Sequence, residues 1–226
     1  MPKITGVILA AGKGVRMRSA YPKVVHMVSG RPMIQHVVDA VQAAGITNIY
    51  VVVGHGREYV IESLEGFEVE FVTQEQQLGT GHALKQTETS LINHADRVLV
   101  LSGDIPLIRS STLTSLLTWH MENNAAATVL SAKVDDPTGY GRIIRNEDQS
   151  LYRIVEEKDA TPEEKQVTDL LEDIKQFSKR EKSKMMANSS LWLKHDYYLV
   201  IIQEGLVNSF TGPFYKIQWH RFTTNR

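Results

Sequence analysis

Five short apolar runs recur over the first 130 residues, at positions 6–11, 49–53, 69–72, 98–101 and 126–130. They are rich in β-branched and aliphatic side chains, and most end at a glycine or another turn-forming residue. Runs of this length without strict polar alternation are typical of strands that are buried on both faces of a parallel sheet. The pattern therefore predicts several buried strands in the first half of the chain.

Segments with helical periodicity separate these runs. Apolar residues between positions 34 and 41 recur at i, i+3, i+4 and i+7, which places them on one face of a helix. Pro32 suits the first turn of that helix and Gly45 suits its end. Helices are also predicted over residues 80–91 and 110–122. Strands that alternate with helices predict an α/β fold, with a Rossmann-like, mostly parallel sheet covered by helices on both faces.

The pattern changes after residue 133. Residues 134–142 are rich in turn formers, residues 151–155 resemble a strand, and a charged, helix-prone stretch runs from about residue 158 to about residue 184. We therefore expect a core over residues 1–165 and a divergent C-terminal segment over residues 166–226, whose fold the pattern leaves open.

Composition narrows the class of protein. The 226 residues carry a formal net charge of -1, so no strong field attracts nucleic acid or a membrane surface. The chain has no cysteine, which excludes disulfides, thiolate catalysis and cysteine-ligated zinc and fits a cytoplasmic location. The apolar run near the N-terminus lacks a cleavage-site pattern and is interpreted as a strand, not a signal peptide. No run approaches the ~18 apolar residues of a membrane span, so we expect no membrane insertion.

A cationic glycine turn follows the first apolar run. Gly12 and Gly14 allow positive φ and close approach of the main chain to a ligand, and backbone N–H groups in such a turn bind anions. Lys13, Arg16 and Lys23 add positive charge, so a polyphosphate is the natural ligand. The turn matches neither the P-loop nor G-x-G-x-x-G. Taken alone, a G-x-G after a strand is weak evidence for a nucleotide site, and the alternative is a tight strand-to-helix turn whose lysines are solvated.

Two polar residues follow later strands. Asp104 would lie at the carboxyl edge of the sheet, where ligands bind in such folds, and its carboxylate suits Mg²⁺. The alternative is a turn aspartate or a cap of the helix that begins at Ser110. Gln74 precedes a glycine-rich turn, and its amide has the donor and the acceptor that a uracil edge requires. The alternative is a surface glutamine beside a helix capped by Thr80.

Other polar residues are weaker candidates. Gly141, through its backbone N–H, and Glu156, through its carboxylate, suit contacts to sugar hydroxyls. The alternative is a hairpin turn and a surface acid. The histidines show no metal-ligand spacing. Six of them are predicted to be cap or surface residues: His26, His36, His55, His82, His94 and His120.

Three long motifs resemble a known family. They are L-A-A-G-K-G-x-R-M with a following P-K (residues 9–23), Q-x-x-x-L-G-T-G-H-A (residues 74–83) and D-D-P-T-G-Y-G-R (residues 135–142). Together they resemble sugar-nucleotide pyrophosphorylases, most closely the N-acetylglucosamine-1-phosphate uridyltransferase domain of bifunctional bacterial enzymes. The similarity runs from about residue 7 to about residue 165. It implies Mg²⁺-dependent transfer from UTP to N-acetylglucosamine 1-phosphate, which supplies UDP-N-acetylglucosamine for the cell wall.

The resemblance also implies roles for individual residues. Arg16 and Lys23 would be the catalytic cations on the reacting phosphates, and Asp104 would hold Mg²⁺. Gly141 and Glu156 would contact the sugar. The nucleotide would contact Leu9, Ala10, Ala11, Gly12, Gly14, Lys23, Gln74, Gly79 and Thr80.

The tail departs from that family. Where the family carries E-[IV]-N-T-G, with an asparagine that helps to hold the sugar, residues 168–172 are T-D-L-L-E. The later G-E-Y-Y-[LI]-[TP]-D motif and the G-V-N segment, whose asparagine completes the Mg²⁺ site, have no counterpart, and residues 205–208 are too different to replace it. We also expect no acetyltransferase β-helix half within these 226 residues. The tail is either a divergent replacement or the product of a shifted reading frame.

Three hypotheses follow from these differences. The first is an active uridyltransferase, and the second is a UTP-binding protein with impaired or lost turnover. The third is a related nucleotidyltransferase that uses another sugar phosphate or an alcohol phosphate. Because the acetyltransferase half holds the trimers of the family together, we expect a monomer by default.

Overall fold

A computed structural model describes residues 2–14, 17–92, 95–123, 125, 127–130, 136, 138, 141–147, 151–155, 157, 159–167 and 199–203. Its strands are β1 (Ile4–Ala10), β2 (Met27–Val28), β3 (Arg31–Pro32), β4 (Asn48–Val53), β5 (Glu70–Thr73), β6 (Arg97–Ser102), β7 (Ala127–Leu130), β8 (Arg142–Arg145), β9 (Leu151–Val155) and β10 (Leu199–Gln203). Its α-helices are α1 (Met33–Ala43), α2 (Arg57–Ser63), α3 (Thr80–Lys85), α4 (Glu88–Leu91), α5 (Ser110–Glu122) and α6 (Pro162–Lys165). Within these residues, no helix is long and apolar enough to cross a bilayer.

The chain forms two compact units. The first contains Met1–Val129 together with β10, and its six-stranded sheet has the order β5-β4-β1-β6-β10-β7. Strand β1 pairs in parallel with β4 and β6, and β4 pairs in parallel with β5. The predicted α/β fold with a mostly parallel sheet is confirmed.

Strand β10 is the main departure from the predicted sheet. It lies between β6 and β7 and runs antiparallel to β6, with Ile201 opposite Leu99. The sequence pattern did not assign this strand. Its partner β6 lies about a hundred positions earlier in the sequence. Pairing between strands so far apart along the chain leaves no signal in the local sequence pattern.

Helices cover both faces of the sheet, and alternate residues of β1, which point to opposite faces, contact different helices. On one side, a Cβ on Gly6 would lie 3.1 Å from Val41 of α1, so the glycine permits close helix packing. On the other side, Val7 packs in a buried cluster with Ala83 and Leu84 of α3. This two-sided burial explains why the strand carries no polar alternation.

The helix predicted over residues 80–91 is interrupted. It consists of α3 and α4, with a turn at Gln86 and Thr87 between them. The Thr87 hydroxyl donates to the Leu84 carbonyl at 2.7 Å, and the Thr87 N–H reaches the same oxygen at 3.0 Å. Threonine competes for helix carbonyls in this way, and the buried side chain stabilises the break.

The prediction that His120 is a cap or surface residue is wrong. Its side chain is 1% exposed, on the inner face of α5, and its Nδ1 lies 2.8 Å from the Thr128 hydroxyl of β7. Burial and, to a lesser degree, the charge of Arg97 lower the pKa of His120 from 6.5 to about 4. The ring is therefore neutral at pH 7 and packs as a core residue.

The second unit contains the antiparallel hairpin of β8 and β9 and helix α6. Arg142 is 3% exposed, and its Nη2 contacts Glu157 Oε2 at 2.6 Å and the Lys165 carbonyl at 3.3 Å. This arginine therefore ties the hairpin to α6. A capping box of Thr161 and Glu164 starts α6 where the sequence predicted a helix-prone stretch.

Candidate active site

Three turns meet at the carboxyl edge of the sheet in the first unit. Parallel register puts Ala10 beside Val53 and Leu9 beside Ser102, so the segments that follow β1, β4 and β6 emerge together. The N–H of Gly103 donates to the Leu9 carbonyl at 2.9 Å. The turn after β1 therefore lies beside the turn that carries Asp104.

The turn after β4 packs so tightly against the turn after β1 that it requires a glycine. A Cβ on Gly54 would lie 2.9 Å from the Ala11 Cβ and 3.2 Å from the carbonyl oxygen of Gln74. Real Cβ atoms almost never approach other atoms to below 3.0 Å. The glycine thus brings the first turn and the start of the Gln74 segment together.

An ion pair lies at the centre of this edge. Lys23 Nζ donates to Asp104 Oδ2 at 2.6 Å, and the two side chains are 14% and 17% exposed. The hydroxyl of Ser102 donates to the other carboxylate oxygen, Oδ1. Gly14 has φ +58°, and a Cβ there would lie 3.0 Å from the Lys23 Cβ, so the glycine turn closes against this lysine. The carboxylate is thereby held by a cation on one side and a hydroxyl on the other.

Lys23 is placed by its neighbours in the chain. It begins a short 3₁₀ helix, Lys23–Val25, which follows the buried Pro22. A Cβ on Gly56 would lie 2.6 Å from the Pro22 Cγ, so the proline packs directly on the start of α2. The buried proline of the P-K pair therefore fixes the position of the backbone at Lys23.

Gln74 lies at the same edge, after β5. Its N–H donates to the Val53 carbonyl at 2.7 Å, and the residue is 3% exposed. Its side-chain Nε2 donates to the Gly79 carbonyl at 3.2 Å and lies 2.9 Å from His82 Nδ1. Gly79 has φ +101°, a conformation that favours glycine. Gln74 is thus a buried, hydrogen-bonded residue and not a surface glutamine.

The structure brings together many of the residues predicted for the site. Ala11, Gly12 and Gly14 lie in the turn beside Lys23 and Asp104, Ala10 ends β1 directly before that turn, and Gln74 contacts Gly79. Leu9 pairs with Ser102 in the sheet, and Thr80 is exposed at the start of α3.

The described residues of the first unit do not include three residues that were predicted for the site. Arg16 and Glu156 lie outside the described residues, as do residues 168–172 and 205–208 of the tail. Gly141 is buried in the second unit, directly before β8. The contributions of Arg16, Gly141 and Glu156 remain predictions.

Four residues were missed by the sequence reasoning: Pro22, Gly54, His82 and Ser102. Ser102 and His82 lie inside motifs that had already been singled out, S-G-D and L-G-T-G-H-A. Their place in those motifs, close to Asp104 and eight positions after Gln74, was the signal that the sequence offered.

The site fits a magnesium ion that is held jointly with a substrate. Among the described residues, no group of three or more His, Cys, Asp or Glu side chains could hold a metal. Mg²⁺ commonly uses one or two carboxylates and completes its shell with substrate phosphates and water. The Asp104 carboxylate and the neighbouring Ser102 hydroxyl supply oxygen ligands of the right kind.

Comparison with known sequences identifies the family. Residues 6–173 match the model of the MobA-like NTP transferase domain. The chain belongs to this family. The match spans the cationic glycine turn, Gln74 and Asp104, so the edge described above lies inside the NTP transferase domain.

Curated relatives of this NTP transferase domain are named bifunctional protein GlmU. The protein from Syntrophomonas wolfei is 49% identical over 91% of this chain and 46% of its own length. Those from Caldanaerobacter subterraneus and Thermoanaerobacter pseudethanolicus are 53% and 44% identical over 75% and 94% of this chain. The chain spans less than half the length of these relatives, at 46%, 37% and 48%. The resemblance inferred from the sequence motifs is confirmed.

Solved structures agree on the fold. A putative glucose-1-phosphate thymidylyltransferase from Bacillus anthracis has a TM-score of 0.66 at 20% identity and covers 93% of this chain and 76% of its own. A UDP-glucose pyrophosphorylase complexed with UDP-glucose has a TM-score of 0.65 at 18% identity, with 92% and 78% coverage. At these identities the likeness shows the NTP transferase fold alone.

Proposed function

We propose that the chain transfers a uridylyl group from UTP to N-acetylglucosamine 1-phosphate, giving UDP-N-acetylglucosamine and pyrophosphate. The observation that carries the proposal is the Lys23–Asp104 pair beside the glycine turn, because it offers a cation for phosphates and an oxygen ligand for a metal at one point. Relatives that are named bifunctional protein GlmU, at 44% to 53% identity, support the choice of substrates.

In this reaction, a phosphate oxygen of the sugar phosphate attacks the α-phosphorus of UTP. The bond from the α-phosphorus to the bridging oxygen breaks, and pyrophosphate leaves with both electrons of that bond. The attacking oxygen is already an anion, so no general base is required. The work of the protein is therefore positioning and neutralisation of charge.

Each described residue at the edge has a part in that work. The backbone at Gly12 and Gly14 lies where a phosphate chain would approach, and Lys23 would turn from Asp104 toward the phosphates. Gln74 would read the base. Asp104 would hold Mg²⁺, which when bound supplies further positive charge to the phosphate oxygens. Arg16, Gly141 and Glu156 complete the proposal as predicted contacts to phosphate and sugar.

The product is a precursor for peptidoglycan and other envelope polymers, and we propose a cytoplasmic location, where UTP is available. The absence of cysteine and the near-neutral charge are consistent with this proposal. No nucleic-acid partner is required for it.

A second candidate function is UTP binding with impaired turnover. It is favoured by one observation, the T-D-L-L-E segment at residues 168–172, which has no asparagine for the sugar. In that case, the nucleotide half of the site would persist while the acceptor half is lost.

One experiment separates these candidates. Purified protein is supplied with Mg²⁺, UTP and N-acetylglucosamine 1-phosphate, and released pyrophosphate is measured. We expect release above a control without enzyme. In parallel, thermal unfolding is followed with UTP, and about 100 Kd of ligand should add roughly 2.7 kcal/mol to the stability. Stabilisation without release would favour the binding protein, and release only with another acceptor phosphate would indicate a different sugar.

A further inference from the structure

The side-chain amide of Gln74 is held by the protein at its nitrogen end. Nε2 donates to the Gly79 carbonyl oxygen at 3.2 Å and lies 2.9 Å from His82 Nδ1. A carbonyl oxygen can only accept, so the amide nitrogen has to face Gly79. The second hydrogen of the same amide is then donated to Nδ1 of His82. Both N–H groups of Gln74 are therefore used inside the protein.

The amide oxygen of Gln74 is left for a ligand. Within the part of the chain that the structure describes, no residue donates to Oε1, and the buried side-chain polar atoms that lack partners belong to His26, Arg97 and His120. The Gln74 oxygen is not among these atoms, so it reaches solvent although the residue is 3% exposed. The glutamine thus presents an acceptor, and no donor, to a molecule in the site.

His82 is the second group that holds the nitrogen end of this amide, beside the Gly79 carbonyl. Gln86 Nε2 also approaches the ring, 3.2 Å from His82 Nε2 and 3.1 Å from the His82 carbonyl. A neutral imidazole accepts at one nitrogen only. With a proton on Nδ1, two donors would face each other at 2.9 Å at Gln74. Acceptance at Nδ1 serves the shorter of the two contacts, and the proton on Nε2 then faces the Gln86 nitrogen at the longer distance of 3.2 Å. Gln86 still donates to the His82 carbonyl at 3.1 Å.

We propose that His82 is a positioning residue that, together with the Gly79 carbonyl, holds the direction of the Gln74 amide and thereby favours uracil over cytosine. The inference rests on the proposed function, in which Gln74 reads the base of UTP. Uracil carries a hydrogen on N3 that can be donated to an outward Oε1, whereas N3 of cytosine is itself an acceptor. With cytosine, the lone pair of N3 would face the lone pair of Gln74 Oε1. To avoid this repulsion, the base would have to shift so that its amino group donates to Oε1. An amide held by the Gly79 carbonyl alone would turn more readily and could then accommodate either base.

The test compares UTP and CTP binding, without acceptor sugar, in the wild type and three variants. The readout is the ratio of the CTP dissociation constant to the UTP dissociation constant, measured by calorimetry. His82→Leu removes the acceptor, and the ratio should fall roughly tenfold, the value of about one hydrogen bond. His82→Asn restores an acceptor near the position of Nδ1, and the wild-type ratio should return. Gln86→Leu is the matched control and should leave the ratio unchanged.

Two results would overturn the inference while the proposed function stands. One is an unchanged ratio in His82→Leu, and the other is a loss of selectivity in Gln86→Leu that equals the loss in His82→Leu. A wild-type protein that does not bind UTP would overturn the proposed function, and this inference with it. If His82→Leu does not fold by circular dichroism, His82→Ala takes its place in the same comparison.

Discussion

Lowering the pH should reduce the free energy of unfolding of the first unit, because its buried residue His120 resists protonation in the folded state. The folded-state pKa of this buried ring is about 4, against 6.5 for an ordinary histidine, chiefly because of burial and also because of the charge of Arg97. At a pH between these two pKa values, His120 is protonated in the unfolded chain and neutral in the folded chain. The free energy of unfolding therefore falls as the pH decreases through this window.

The size of the effect follows from the two pKa values. At pH 5 the unfolded ring is almost fully protonated and the folded ring is almost neutral, so His120 should cost about 2 kcal/mol relative to pH 7. Below pH 4 the loss should approach roughly 3 kcal/mol. Against a typical stability of about 5–15 kcal/mol, such a change is readily measured.

The assay is urea unfolding at pH 7 and pH 5 for the wild type and for His120→Asn. The asparagine does not titrate, so this variant should be destabilised at pH 7 by the cavity it leaves but should lose about 2 kcal/mol less than the wild type on acidification. Thr128→Val is the control. It removes the partner 2.8 Å from Nδ1 but keeps the buried ring, so its acid sensitivity should persist.

Equal acid losses in the wild type and in His120→Asn would refute this reasoning. They would show that the ring does not resist protonation in the folded chain, or that it is already exposed there. Acid sensitivity that disappears in Thr128→Val would instead assign the effect to the hydrogen bond, not to burial.

Three further predictions concern the candidate site. Asp104→Asn should lower metal-dependent pyrophosphate release at least a hundredfold, since a bound metal contributes several kcal/mol of charge stabilisation. Its circular dichroism spectrum should stay unchanged, and a wild-type rate of release would remove Asp104 from the site. Gly12→Ala should leave the unfolding midpoint unchanged, because a Cβ there meets nothing within 4 Å, but should weaken UTP binding; equal UTP affinity would place the phosphates elsewhere. Gly56→Ala should lower the free energy of unfolding by about 1–3 kcal/mol, because φ is +62° and the new Cβ would lie 2.6 Å from Pro22 Cγ. Urea unfolding measures this loss, and a stability equal to that of the wild type would contradict the tight contact.

Much of the core was predictable from the sequence because its signals are local. Buried parallel strands give continuous apolar runs, and an amphipathic helix gives a 3.6-residue period, so β1, β4, β6, α1 and α5 were predicted to within a few residues. The P-K and S-G-D motifs pointed to Lys23 and Asp104 as site residues, because each follows a strand or turn at the edge where ligands bind.

Other features depend on tertiary contacts that no local pattern records. Lys23 and Asp104 are 81 positions apart, and only the parallel register of β1 and β6 brings them to 2.6 Å. The insertion of β10 beside β6 and the burial of His120 against Thr128 likewise depend on which distant segments pack together. Sequence alone therefore determined most of the buried strands and amphipathic helices of the first unit, and it pointed to Lys23 and Asp104 as charged residues at the edge of the sheet. The tertiary structure decided which of those residues meet, because pairing and burial depend on distances between segments that are remote along the chain.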